Sequence, residues 1–103
     1  MRKITQEACS AFEEWWNFKK SNTEVIRYDV RIEMRLHGNL IAYSDVTGTY
    51  ISNGGWLNPK TKRPSNTTKE RLNGLTGVHI QQKDFVWYLN GEAWDGDWIK
   101  IGN

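Results

Sequence analysis

The chain has 103 residues, enough for one domain with a single modest core, and its hydrophobic content of 38% is ordinary for a globular protein. Its six Trp, four Tyr and three Phe residues are bulky, so a few side chains can supply much of the buried area. Fourteen basic and 12 acidic residues leave a formal net charge of +2, which does not indicate nucleic-acid binding without a local basic cluster.

The first segment has the periodicity of an amphipathic helix. Apolar residues recur three or four positions apart, at Ile4, Ala8, Ala11, Phe12, Trp15 and Phe18. This spacing predicts a helix of about four turns that ends at residues 21–23, with Trp16 at the margin of the core. Because Cys9 is the single cysteine, no intramolecular disulfide can form, and we expect it to pack as a small apolar residue.

Neither a signal peptide nor a membrane-spanning segment is expected. Charged residues appear at Arg2, Lys3 and Glu7, before an apolar run could begin, and no later apolar stretch approaches the length of a membrane span. We therefore expect an unprocessed, cytoplasmic protein without a membrane partner.

Residues 25–37 show the clearest strand pattern. Apolar and charged residues alternate there, which predicts one long strand with an apolar and a polar side. Three basic residues lie along the polar side, at Arg27, Arg31 and Arg35. Asp29 and Glu33 lie between them and neutralise much of their field. A face used against a protein partner, or one covered with ion pairs, is therefore favoured over one that follows a phosphate backbone.

Two reversals follow this strand. Gly38-Asn39 has the composition of a two-residue hairpin turn and would place Leu36 opposite Ile41, so that Tyr43 continues the apolar face. A second reversal near residues 47–48 leads into a strand at 49–52. The first half of the chain is thus predicted to be a helix followed by a three-stranded meander.

The middle of the chain predicts a loop and a short helix. Residues 56–66 contain both prolines, and Thr67 with Glu70 fits a capping box for a helix of about two turns that Gly74 would end. The segment from 60 to 71 holds five basic residues, Lys60, Lys62, Arg63, Lys69 and Arg71. Together with free N–H groups at the helix start they would form an anion or nucleic-acid site. A solvated loop that keeps the protein soluble is the favoured alternative.

The last third places two turns among tryptophans. If Asn90-Gly91 is a two-residue turn, Trp87 faces Trp94 across a tight hairpin, and Asp95-Gly96 then reverses the chain again. Trp94 and Trp98 are candidates for contact with a protein partner, because tryptophan is enriched where binding energy concentrates. The alternative is that both tryptophans cap the core while the neighbouring acids occupy turns.

Catalytic and metal-binding motifs are missing from the sequence. There is no phosphate-binding glycine signature and no Cys/His metal spacing, and neither His37 nor His79 has a catalytic partner nearby in sequence. Asp95 and Asp97 lack the remaining ligands of a calcium loop. We therefore expect no enzyme activity, no cofactor and no metal.

These elements predict a single α+β domain over residues 1–103. An N-terminal amphipathic helix packs on a mostly antiparallel sheet, followed by a short second helix and a C-terminal Trp-rich β-hairpin. The order helix, three strands, helix is similar to that of the double-stranded RNA-binding domain. The short second helix and the additional hairpins depart from that domain, so the likeness concerns element order alone.

Four motifs resemble a family of small proteins encoded by tailed bacteriophages. They are HGN-x-IA at 37–42, ISNGGW at 51–56, TTKERLN at 67–73, and WYLNG at 87–91 followed by WDG at 94–96. The resemblance covers about residues 36–99 and implies no catalytic residues. It implies a protein made in the cytoplasm of an infected bacterial host, where small accessory proteins act by binding. The N-terminal helix lies outside the resemblance, and the loop at 58–64 is longer than the family's pattern.

The resemblance and the aromatic surface together predict a phage-encoded accessory protein that binds a host protein and inhibits a host defence or housekeeping system. The candidate contact residues are Trp94, Trp98, Arg27, Arg31 and Arg35. The alternative is a nucleic-acid-binding module that uses the basic loop and short helix at residues 60–71. Homodimerisation through a sheet edge or the first helix is compatible with either function.

Overall fold

The computed structural model describes residues 2–57 and 59–102, and within these ranges the chain forms two helices and nine strands. The helices are α1 (Lys3–Glu14) and α2 (Asn66–Leu72). The strands are β1 (Phe18–Lys20), β2 (Thr23–Arg27), β3 (Ile32–Leu36), β4 (Asn39–Asp45), β5 (Gly48–Ile51), β6 (Ile80–Lys83), β7 (Val86–Leu89), β8 (Glu92–Trp94) and β9 (Ile99–Ile101). The predicted α+β class is confirmed, with all strand pairs antiparallel.

The strands form two sheets. Six of them pair in the order β1-β2-β3-β4-β5-β9, and β6-β7-β8 form a separate three-stranded sheet. Helix α1 lies against β1, β2 and β3, and α2 lies against α1 and β4. Phe12 of α1, Met34 of β3 and Leu72 of α2 belong to one buried apolar cluster, so both helices cover the same face of the larger sheet. Five strands precede α2, which departs from the double-stranded RNA-binding domain.

Helix α1 is shorter than predicted. Trp15 adopts a left-handed conformation (φ 63°), and the N–H of Trp16 donates to the carbonyl of Ala11, which closes the helix at Glu14. Phe18 lies in the edge strand β1, and residues 21–22 form the turn to β2 instead of ending a helix. Trp16, which we expected at the core margin, is 66% exposed.

The predicted long strand at 25–37 is two strands. A turn at residues 28–31 separates β2 from β3, and Tyr28 and Val30 are exposed because they lie in this turn and not on the apolar side. The alternating pattern continued through residues that reverse the chain. Periodicity alone therefore could not separate the two strands.

The β3–β4 hairpin turns one residue earlier than predicted. His37 and Gly38 both have positive φ (50° and 79°), as a type I′ turn requires, and Leu36 consequently pairs with Asn39 and not with Ile41. The register shifts between Met34 and Arg35, where β4 accommodates an extra residue. Ile41 is completely buried at this bulge.

Helix α2 begins and ends differently from the prediction. Its N-cap is Ser65, whose Oγ accepts a hydrogen bond from the N–H of Thr67 (3.1 Å), so the capping box at Thr67 is wrong. Its C-cap is Asn73, and Gly74 is not left-handed. A Cβ at Gly74 would lie 2.6 Å from the Sγ of Cys9, so glycine is required there for the close approach of α1 and α2.

The predicted C-terminal hairpin is confirmed. Asn90 and Gly91 have φ values of 51° and 91°, and the turn between β7 and β8 pairs Trp87 with Trp94 at a ring-centroid distance of 6.0 Å. A bend at Gly96-Asp97 follows, and β9 then joins the six-stranded sheet. The Trp-rich segment therefore links the two sheets.

Replacing Gly74 tests the close approach of the helices. Gly74→Ala should lower the free energy of unfolding by about 1–3 kcal/mol, because the new methyl group overlaps Cys9 and Thr5. Urea denaturation measures this loss. In the double variant with Cys9→Ala the nearest overlapping atom is gone, so the two losses should not add. Full additivity would contradict the steric explanation.

Candidate functional site

The face of the six-stranded sheet that is turned away from the helices carries three aromatic rings and a guanidinium group in contact. Tyr43 of β4 and Tyr50 of β5 are cross-strand partners with rings stacked 4.9 Å apart. The ring of Trp98, which precedes β9, lies 5.1 Å from that of Tyr43, and the Arg31 guanidinium carbon lies 4.0 Å from the Tyr43 ring centroid. We call Arg31, Tyr43, Tyr50 and Trp98 the outer-face cluster.

One carboxylate holds both arginines of this face. Glu33 of β3 is buried and accepts from Nε of Arg31 (2.8 Å) and from Nε and Nη2 of Arg35 (3.2 and 3.0 Å). Side chains two positions apart on a strand share a face, which brings the three residues together. The prediction that Glu33 neutralises part of the arginine field agrees with this geometry. The outer face therefore does not present a strong positive field.

Arg27 does not belong to this row. It pairs in register with Ile32, whose side chain is buried among the apolar residues under the helices. Cross-strand partners share a face, so Arg27 belongs to the opposite side of the sheet from Arg31 and Arg35. The predicted line of three arginines is wrong because the turn at 28–31 interrupts the alternation.

The two candidate tryptophans have different environments. Trp94 is 8% exposed and its indole N–H donates to the carbonyl of Asp97 (2.9 Å), so it caps the core as the alternative prediction stated. Trp98 is 42% exposed and belongs to the outer-face cluster. An open groove of about 600 Å³ lies beside it, lined in part by Asn53, Asp95 and Asp97. Of the two, only Trp98 is available for contact with a partner.

The five basic residues of the alternative nucleic-acid site do not form one surface. Arg71 is completely buried, Nζ of Lys69 lies 3.4 Å from the Gln82 side-chain oxygen, and the guanidinium carbon of Arg63 lies 3.6 Å from the Phe85 ring centroid. The two others, Lys60 and Lys62, are exposed in the loop. The expected contribution of Arg71 to an anion site is therefore wrong.

Arg71 is instead the polar centre of the interior. Its Nη1 donates to the hydroxyl of Thr5 (2.7 Å) and its Nε to the hydroxyl of Thr23 (3.0 Å). The carboxylate of Glu70 accepts from both Arg71 and Thr5. Arg71 thereby connects α2 with α1 and β2.

A spacing signal for this burial exists in the sequence. Arg71 lies three positions after Thr68, which is completely buried on the same helix. Residues at this spacing share one face of a helix. The surrounding charges at 60–71 obscure that signal, since they favour a solvated or anion-binding surface.

The sequence pattern does not identify Tyr43 and Tyr50 as outer-face residues, for a different reason. The predicted register placed Tyr43 on the apolar face, whereas it pairs with Glu33 on the outer face. Because β4 holds one extra residue at Ile41, the pairing beyond this bulge is displaced by one residue, which moves Tyr43 to the other side of the sheet. Without the bulge, the His37-Gly38 turn would pair Tyr43 with Ile32 on the apolar face, so the turn alone does not place Tyr43.

Cys9 and His37 both have contacts inside the fold. Burial raises the pKa of the Cys9 thiol to about 12, with a smaller contribution from Glu13, and its Sγ donates to the carbonyl of Arg71 (3.2 Å). In residues 2–57 and 59–102, no group of three or more His, Cys, Asp or Glu side chains could hold a metal ion. His37 contacts the ring of Trp56 edge-on at 5.7 Å.

The fold and the outer-face cluster define a small α+β protein with an aromatic and arginine-bearing surface. Residues 1–102 match the family of the Kyanoviridae Gp96 protein, and the chain belongs to this family of phage proteins. The match confirms the expected phage origin and also covers the N-terminal helix, which we had placed outside the family's pattern. Neither a curated protein nor a solved structure matched the chain. In the described part, no helix is long and apolar enough to cross a membrane.

Substitution of Arg71 should be among the most damaging single changes. Arg71→Ala leaves the partly buried Glu70 carboxylate without its cation, and we expect a loss of about 3–5 kcal/mol in the free energy of unfolding. Denaturant titration measures it, with Lys69→Ala as the matched control, for which about 0.5 kcal/mol or less is expected. Equal losses in both variants would mean that the buried ion pair has no special role.

The Cys9 thiol should report on unfolding. Its pKa is raised from 9.0 to about 12, so the folded chain keeps a proton that the unfolded chain loses in this interval. The resulting stabilisation is complete below pH 9 and is lost as the pH rises towards 12. At pH 8, modification by a thiol reagent should become faster as urea is added. Fast modification without urea would contradict the burial of this thiol.

Proposed function

We propose that this phage protein acts by binding a host protein through the outer-face cluster. The observation that supports the proposal is the convergence of Arg31, Tyr43 and Trp98, from three separate segments of the chain, on a sheet face that neither helix covers. Trp, Tyr and Arg are the residue types in which interface energy concentrates. Their ring and cation contacts also hold them in place before binding, which lowers the entropy cost of association.

The charge arrangement favours a protein over a nucleic acid as the partner. Phosphate-binding surfaces need several unpaired basic groups, whereas Glu33 pairs with both Arg31 and Arg35. Arg71 is buried, Arg63 contacts Phe85 and Lys69 contacts Gln82, so these three basic residues do not add to this face. A partner surface with apolar groups and a few hydrogen-bond acceptors fits the outer-face cluster better.

Binding to the surface of a host protein can by itself change what that protein does. A bound accessory protein blocks whatever its partner must contact, so inhibition of a host defence or housekeeping system is the consequence that we propose. We place this binding in the cytoplasm of the infected bacterium. The absence of enzyme activity stays a prediction.

Affinity capture with matched tryptophan variants tests the proposal. Wild type, Trp98→Ala and Trp16→Ala are each used for affinity capture from host lysate, in one arm treated with nuclease and in a second arm without it. Trp16 is 66% exposed and lies between α1 and β1, so its replacement controls for general loss of surface tryptophan. We expect a host protein that wild type and Trp16→Ala retain and Trp98→Ala loses.

Titration of each variant with the purified host protein then measures how much affinity the substitution removes. Trp98→Ala should weaken binding about 30-fold, which corresponds to about 2 kcal/mol. Recovery of nucleic acid without a protein, in the arm that omits nuclease, would support the nucleic-acid alternative instead. A host protein whose affinity is unchanged in Trp98→Ala would overturn the assignment of the outer-face cluster.

A further inference from the structure

Three hairpins of this fold use the same kind of two-residue turn, and one of them lacks the glycine that this turn favours. The turns are His37-Gly38, Asn90-Gly91 and Asp84-Phe85, each with positive φ at both positions. A type I′ turn favours glycine at the second position, because a Cβ is strained in that conformation. Two of the hairpins have glycine there, whereas the third has Phe85 at φ 68°.

Contacts within the chain do not account for this choice. Phe85 is 66% exposed, so its ring gains little from burial. Its ring contacts the guanidinium of Arg63, whose central carbon lies 3.6 Å from the ring centroid, and a cation–π contact at an exposed site is weak. A strained residue that is held at a hairpin tip, with its ring in solvent, indicates a contact outside the chain.

A cavity of about 260 Å³ lies directly beside this ring. It is lined in part by Pro64, Val86 and Trp94, and it is larger than the roughly 150 Å³ that accommodates a benzene molecule in a protein interior. The neighbouring surface is apolar as well, since Val86 is 41% exposed and Ala93 is exposed. An aromatic projection and a recess of matching size therefore lie next to each other.

The projecting ring and the recess also carry opposite charges. Arg63 lies over the projecting ring, and Asp95 lines the recess. Within the described residues neither forms an ion pair with another part of the chain. A surface that carries both a projection and a matching recess, with opposite charges on the two, can bind a second copy of itself about a two-fold axis.

We propose that a second copy of this chain binds here, with Phe85 of each copy in the recess of the other and Arg63 paired with Asp95 of the opposite copy. The contact uses the three-stranded sheet and the loop before α2, and no member of the outer-face cluster takes part. It is therefore separate from the proposed host-binding surface. It also differs from dimerisation through a sheet edge or through α1.

Sedimentation velocity over about a hundredfold range of protein concentration tests the dimer. Wild type should shift from monomer to dimer as the concentration rises, and Phe85→Gly should remain monomeric. The thermal midpoint of Phe85→Gly at low concentration should equal or exceed that of wild type, because glycine relieves the backbone strain. A wild type that stays monomeric throughout, or a Phe85→Gly variant that dimerises equally well, would overturn the proposal.

A charge exchange tests the pairing of the two copies independently. Arg63→Asp and Asp95→Arg should each be monomeric, because each variant places like charges opposite one another in its own dimer. An equimolar mixture of the two should form a dimer, since both contacts are then between opposite charges. If the mixture stays monomeric at concentrations where wild type dimerises, the assigned contact is wrong.

Discussion

The buried guanidinium of Arg71 is the constraint on which the arrangement of the fold depends. It reaches a hydroxyl on α1 and a hydroxyl on β2 while its own helix carries the neighbouring carboxylate of Glu70. Burial of a charge is tolerated only when its donors are satisfied, so α1, α2 and β2 must be in their native positions together. This requirement fixes both helices on one face of the six-stranded sheet. Gly74 makes the arrangement possible by allowing α1 to approach closely.

The opposite face of the six-stranded sheet is not covered by a helix, because α1 and α2 both pack on the first face. Polar and aromatic side chains must then cover it, and Glu33 with its two arginines and the stacked tyrosines do so. Neighbouring strands supply these groups through register, since Glu33 pairs with Tyr43 and Tyr43 with Tyr50. Strand pairing thus places Glu33 and the two tyrosines, while Arg31 from the turn before β3 and Trp98 from the segment before β9 complete the candidate binding surface.

Sequence patterns predicted those elements whose turn residues are compatible with a single turn position. Asn90-Gly91 is the strongest of the hairpin signals, and the pairing of Trp87 with Trp94 follows from it. The segment His37-Gly38-Asn39 allows two turns, because glycine can occupy either central position. The wrong turn displaces the pairing by two residues, which keeps each side chain on its face, whereas the unpredicted bulge at Ile41 moves Tyr43 from the apolar face to the outer face. Arg71 was misplaced because a charge gives no signal in an apolar pattern, even where its spacing matches the buried face.

The two proposed surfaces lie on different sheets, which has a consequence for binding strength. The outer-face cluster belongs to the six-stranded sheet and the Phe85 contact to the three-stranded one, so a dimer would present two outer-face clusters at once. Two linked binding sites raise the effective concentration for a partner that is itself dimeric or repeated. A chain of 103 residues has room for only a small interface on each copy. Self-association would therefore let a small protein bind a larger host assembly tightly without any additional contact.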